Sequence, residues 1–267
     1  MNFARVQAVL AKELLEIRKN RTLLLTILLP PLIITLLPLG IVVAMGSSGG
    51  RNNLSADDIA RYLLAFPELA GFSPGEVIQV IVLRQFLVMY LILPLIIPTS
   101  IATASIIGEK VLRSLEPLLA TPIRTVELLL AKAIAAVVPA VAATWLAYAI
   151  FYMGTHITVQ SARVQDALLN SMWLLAILIL APLLSLLSVS LSVIISSRVN
   201  DPRVAQQLAG LVVIPLVLVA VGQIAGFVVL NAAIFGVVTV LIALIDLVVL
   251  YIGVQLFERE TILTRWK

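Results

Sequence analysis

The chain of 267 residues is 61% hydrophobic and 12% charged, against roughly 45–50% and about 25% for an ordinary soluble domain; its mean hydropathy is +1.14. That balance excludes a water-soluble enzyme, a disordered chain and a fibrous repeat, and leaves room for six or seven spanning helices of about 20 residues with no large extramembrane domain. Zero cysteines exclude disulfides, thiolate chemistry and Cys-ligated metals, and a net charge of +4 in so apolar a chain reads as the basic excess of cytoplasmic loops, not as a nucleic-acid surface.

Residues 3–20 have helical periodicity. Phe3, Val6, Leu10, Leu14 and Ile17 fall on one face, with Arg5, Lys12, Glu13, Glu16 and Lys19 off it. A basic amphipathic helix ahead of a span is expected to lie in the inner membrane interface, so residues 1–22 are assigned as an interfacial arm. Six apolar stretches follow, at about 23–45, 77–107, 126–153, 171–197, 207–230 and 232–256. Together they make 23–256 a six-helix transmembrane domain, with 257–267 as a cytosolic tail. The first stretch exceeds the 7–15 residues of a signal-peptide core and is read as an uncleaved span. Fourteen Lys and Arg fall on one side of the six crossings and four on the other. Both termini are therefore expected in the cytoplasm, at the cytoplasmic membrane.

The outer loop at about 46–76 opens with Gly46-Ser47-Ser48-Gly49-Gly50. Ser55 with Asp58 predicts a short capped helix, and Ser73-Pro74-Gly75-Glu76 a second capping box that starts the second crossing. Asn53-Leu54-Ser55 is a sequon that chance also produces. The inner loop after the second crossing carries the most information. Leu115, Leu118 and Leu119 form an apolar stripe in a segment facing the cytosol, and Pro117 and Pro122 delimit a short helix at about 114–121. Three leucines left in water forgo roughly 1.5–3 kcal/mol each. Either the chain's own helix ends cover them or a soluble partner does. The surrounding charges suit a polar rim around an apolar docking centre.

That loop resembles the one between helices two and three of the type-2 ATP-binding-cassette (ABC) exporter permeases, whose pattern is Glu-x-x-x-Gly-Thr-Leu-Glu-x-Leu-Leu-x-Thr-Pro-x-x-x-x-Glu-Leu-x-x-x-Lys. Glu109, Leu115-Glu116, Leu118-Leu119, Thr121-Pro122, Glu127-Leu128 and Lys132 match it, while Arg113-Ser114 replaces Gly-Thr and Pro117 is unusual. Leu256-Phe257-Glu258-Arg259-Glu260 is similar to the family's ending. The resemblance implies the permease subunit of an exporter for a hydrophobic or amphipathic substrate or an ion. Its coupling helix would seat on a separate ATP-binding subunit through Glu109, Leu115, Glu116, Leu118, Leu119, Thr121, Pro122 and Arg124. Two copies of that subunit, holding ATP and Mg, and a second permease chain, identical or paralogous, would complete the complex among membrane lipids. The sequence contains no Gly-x-x-x-x-Gly-Lys-Ser/Thr phosphate cradle, so ATP is expected on another polypeptide and no catalytic or metal-ligating residue is assigned here.

Within the spans, Asp246 sits near the middle of the sixth. A carboxylate there costs about 2.5–3.5 kcal/mol, so it is expected either to contact a cation or proton or to bond a neighbouring helix through Gln223 or a serine. Ser185, Ser188, Ser192 and Ser196 share one face of the fourth span, a packing stripe or the wall of a path. Asp246, Ser185, Ser188, Ser192 and Gln223 are the candidate path residues. Gly222-x-x-x-Gly226 marks close packing or a re-entrant turn over 222–231. Arg84 lies within snorkelling reach of the outer interface, and eight of thirteen prolines fall inside spans, which suits a bundle that rocks.

Two other classes fit less well. A secondary transporter or channel calls for several buried charges or an internal repeat, and Asp246 stands essentially alone. An intramembrane enzyme calls for paired aspartates, a zinc motif or a serine with histidine. The single histidine, His156, reads as a solvated loop residue.

Overall fold

The computed structural model describes residues 2–47, 63–64, 66–111, 124–169, 171–199, 201–224 and 231–256. In lipid every backbone polar group must be satisfied within its own segment, and long apolar runs meet that demand as helices. The helix α1 (Phe3–Lys19) begins at Asn2, whose side chain accepts from the Ala4 N–H at 3.1 Å. Asn20 breaks it with extended backbone and then caps α2 (Arg21–Ser47), its side-chain oxygen accepting from Thr22 and Leu23. One asparagine thus turns the arm into the first crossing.

The helix α3 (Pro74–Tyr90) opens on the expected capping box: Ser73 N–H donates to Glu76 at 2.8 Å, and Glu76 N–H donates to the Ser73 hydroxyl at 3.4 Å. A break at Leu91–Ile92 separates α3 from α4 (Leu93–Val111). Pro94 occupies the first turn of α4, where its missing N–H costs least, so the second crossing is two helices rather than one. Then come α5 (Thr125–Thr158), the short α6 (Ala162–Leu168), α7 (Ser171–Arg198), α8 (Pro202–Gly210, capped by Asp201), α9 (Ile214–Ile224) and α10 (Ala232–Leu256, capped by Asn231).

The protein is an all-α polytopic membrane protein. Among the described residues, six stretches are long and apolar enough to cross a membrane: Arg21–Met45, Pro74–Lys110, Val126–Thr158, Ala162–Arg198, Arg203–Gln223 and Ala232–Gly253. The fifth is described as far as Ile224; residues 225–230 of its apolar run lie outside the described set, with most of the proposed re-entrant turn. The second, third and fourth crossings supply the core, where Leu83, Leu87, Leu93, Ile97, Ala136, Ala140 and Ala181 are fully buried. The first, fifth and sixth flank it and leave Leu25, Leu36, Leu218, Leu244 and Leu247 on the outside. Alanines along α5 let α2, α4 and α7 approach it closely, while α10 packs along α7.

The arm differs from its periodicity. The face α1 buries is Val6, Val9, Glu13 and Ile17, and Phe3 and Leu14 are 71% and 40% exposed. Val6 and Val9 pack on Leu128 and Ala131 at the start of α5. The face packed on the bundle overlaps the apolar stripe at Val6, Leu10 and Ile17 but is centred on a carboxylate, Glu13, which the periodicity leaves out.

Candidate functional site

Glu13 is buried because a cation is waiting for it. Lys132, on the second turn of α5, holds its ammonium 2.7 Å from Glu13 and 2.9 Å from Glu109 near the end of α4. It also donates to the Ser105 hydroxyl at 2.6 Å, and Ser105 donates to the other Glu13 oxygen at 2.7 Å. Lys12 closes the cluster from the rim, 2.6 Å from Glu109 and 3.4 Å from Glu16. Lys132, Glu13 and Glu109 are each less than a tenth exposed, while Lys12 remains 42% exposed. Two lysines and two glutamates cancel in charge, which is how an apolar protein tolerates them inside.

The two arm residues of the cluster respond electrostatically. Burial acts to raise the Glu13 carboxyl, but the Lys132 charge and hydrogen bonds from Lys132 and Ser105 outweigh it and hold the group below its ordinary 4.5. Burial likewise acts to lower the Lys12 ammonium, and Glu109, Glu13 and Glu16 together carry it above its ordinary 10.5.

A second tie lies beside the first. Glu127 accepts from the backbone N–H of Arg124 at 3.1 Å, which caps α5, and from Asn2 N–H at 2.6 Å, which pins the start of the arm. Lys110 donates to the carbonyls of Ser197 and Val199 at the end of α7, a favoured place for a cation. The arm, the end of α4, the start of α5 and the end of α7 thus form one charge-riveted base.

The base brackets the loop that the sequence singled out. Leu115, Glu116, Leu118, Leu119, Thr121 and Pro122 fall within 112–123, outside the described residues, as does the short helix expected from Ser55 except for Leu63 and Leu64. Arg124 is exposed at the loop's exit. Glu109 faces inward, 6% exposed, so its side chain is spent on Lys132 and Lys12. The signal missed in the sequence was the position of Glu13 in the series Val6, Val9, Glu13, Ile17. A charge at the inner position of an amphipathic helix implies an opposite charge across from it.

At the opposite end of the bundle a cavity of about 320 Å³ lies between α2, α3 and α9, lined by Ile41, Phe66, Val80, Arg84, Gln85 and Gln223. Gln223 is buried, and its carbonyl oxygen has no hydrogen-bond partner. Gln85 donates to the Ala220 carbonyl. Arg84 lies over the Phe66 ring, 5.5 Å from its centre, and donates to the Ala167 carbonyl at 3.3 Å. Its guanidinium ends on the last turn of α6.

The serine stripe divides. All four serines are buried. Ser188 bonds the Leu95 carbonyl and Thr99, and Ser192 bonds the Ser188 carbonyl, so these hydroxyls are engaged on and beside the α4–α7 contact. The Ser185 and Ser196 hydroxyls have no partner. Asp246 is 2% exposed, and neither carboxylate oxygen is hydrogen-bonded, so the expected bond to Gln223 or a serine is not made. His156 lies on the last turn of α5, exposed and in edge contact with Tyr152, not in a loop. Among the described residues no three His, Asp or Glu side chains converge to hold a metal ion.

Comparison with known proteins places this architecture. The family model described as ABC-2 type transporter matches residues 4–222, from the arm through the fifth crossing. No curated protein matches the chain.

Proposed function

Because the chain belongs to the ABC-2 type transporter family, and is therefore a membrane-spanning transport subunit whose ATP is bound by a partner subunit, we propose that it couples to that partner through residues 112–123. The observation that carries the proposal is the Glu13–Lys132–Glu109–Lys12 cluster, which joins the arm to both stems of that segment. A loop can transmit force only if its stems move together. Buried ion pairs strongly oppose separation, because parting them leaves charges unpaired in a dry site.

In this reading Leu115, Leu118 and Leu119 supply the apolar docking centre, Glu116 and Arg124 the polar rim, and Thr121-Pro122 the turn back into α5. Glu109 acts as a positioning residue at the root of the loop. In this reading the base faces the cytoplasm and both termini lie on that side, which the basic excess of the inner loops supports. Two ATP-binding subunits and two permease chains complete the transporter. The cavity beneath Phe66 lies in the outer half, and its apolar walls with Arg84, Gln85 and Gln223 suit an amphipathic substrate moving outward.

The test is co-expression with the ATP-binding subunit. Leu118→Asp with Leu119→Asp is expected to abolish co-purification and stimulation of ATP hydrolysis while the chain still inserts and folds. Retained binding and stimulation in that variant would overturn the proposal.

A further inference from the structure

Asp246 has a setting that the transport reading does not use. Two contacts fix how α7 and α10 lie together: the Trp173 and Phe235 rings meet at 5.2 Å near their outer ends, and Gly253 abuts Ile194 near their inner ends. The helices run side by side in the same direction. Between the two contacts, Asp246 falls at the height of Leu187. Eleven residues after Phe235 and seven before Gly253, it shares their face of α10, opposite Leu180 and Leu187, which stand at steps of seven between Trp173 and Ile194 on α7. The two Asp246 oxygens are buried and have no hydrogen-bond partner, so one orphaned carboxyl stands in an apolar seam. Unpartnered buried polar atoms are rare enough in proteins to need an explanation.

The neighbouring charges do not supply it. On α7 the titratable residue is Arg198, at its far end. On α5, which touches α10 along one edge, Lys132 is held by Glu13 and Glu109, and Glu127 by the N–H groups of Asn2 and Arg124. Tyr148 packs on Tyr90 and Phe151, and Tyr152 on His156. On α10 itself Tyr251 is exposed. No ion pair reaches Asp246 among the described residues.

We propose that Asp246, in the α7–α10 seam, is a proton-binding site. The carboxyl carries H⁺ while the seam is closed and releases it to water, becoming a carboxylate, when the seam opens. A proton is the ligand that the donors fit. Hard metal cations take about six or more oxygen ligands, and the seam between Leu180, Leu187 and Ile242 offers only the two oxygens of the carboxyl among the described residues. A proton needs one oxygen. Below the site, Leu186, Val189, Leu250 and Gly253 line an apolar cleft of about 330 Å³ that also borders Val126 and Leu130 at the start of α5. Movement of the charged base would be felt along this cleft, and that gives the seam a mechanical link to the loop.

The site can be read without an ATP-binding subunit, so it stands or falls separately from the coupling proposal. The measurement is infrared spectroscopy of the full chain in phospholipid vesicles, comparing unlabelled protein with protein carrying carbon-13 aspartate. The expected result at neutral pH is one isotope-shifted C=O band of a protonated carboxyl, absent from Asp246→Asn and replaced by carboxylate bands as pH rises. Adding sodium or potassium at fixed pH should leave that band unchanged. If Asp246→Asn does not fold, Asp246→Glu decides in its place: it keeps an acid at the site, and its labelled aspartates, Asp57, Asp58, Asp166 and Asp201, should give no isotope-shifted protonated band. Aspartate signals confined to carboxylate bands at neutral pH, or a protonated band displaced by a metal cation, would overturn the assignment.

Discussion

Two places in this molecule bury carboxylates, and they handle them in opposite ways. At the base, Glu13 and Glu109 are matched by Lys132 and Lys12, and nearly every lone pair is occupied. In the α7–α10 seam, Asp246 is just as buried and has no partner. A matched cluster holds elements in register and resists change; a solitary carboxyl is comfortable only while neutral, and so responds to whatever opens its surroundings. The comparison teaches that burial of a charge is not one phenomenon. Its count of partners decides whether it acts as a rivet or as a sensor.

The comparison breaks if the two places respond alike to loss of a charge. Lys132→Met is expected to have the largest effect, because it strands Glu13 and Glu109 without their shared cation. Removing one partner of a buried pair costs about 3–5 kcal/mol, so the midpoint of thermal unfolding in detergent should fall steeply and the arm should become accessible to protease. Asp246→Asn should behave differently. Asparagine copies the shape and neutrality of a protonated aspartate, so stability should change by about 1 kcal/mol or less while substrate-coupled ATP hydrolysis falls. A collapse in stability matching that of Lys132→Met would erase the distinction.

Acid sharpens the comparison with a smaller effect. The folded Glu13 carboxyl lies below its ordinary 4.5, so the stability it contributes is fully present above 4.5 and is lost as pH falls through the lowered folded value. Proteolysis of α1 should stay slow at neutral pH and rise only in that acid window. Lys12, raised above 10.5, contributes with the opposite sign: its share is present below 10.5 and fades as pH climbs past the raised value. Its half-exposed position makes that share slight. Release of the arm at neutral pH would contradict the direction at Glu13.

Much of this was legible in advance, for identifiable reasons. Spans announce themselves because about 20 apolar residues are needed to cross a bilayer, and Ser73 with Glu76 announces a helix start because both partners lie three residues apart. The base was half legible. Glu109 and Lys132 belong to the loop pattern, but the third member, Glu13, lies 119 residues from Lys132 in sequence, and periodicity carries no information across such a gap. The break at Leu91–Ile92 was hidden for a related reason. Pro94 is visible, yet whether it kinks a helix or starts a new one depends on the packing of its neighbours. Asp246 was visible as a lone carboxylate; that nothing bonds it emerged only once α7 and α10 were set side by side.

The most direct test of the coupling account uses the absence of cysteine from the chain. A Leu118→Cys variant carries a single thiol in the loop, and its reaction with a water-soluble maleimide can be timed with and without the ATP-binding subunit. The account predicts rapid labelling of the permease alone and strong protection once the subunit is bound. Equal labelling in both conditions, with the complex intact, would contradict it.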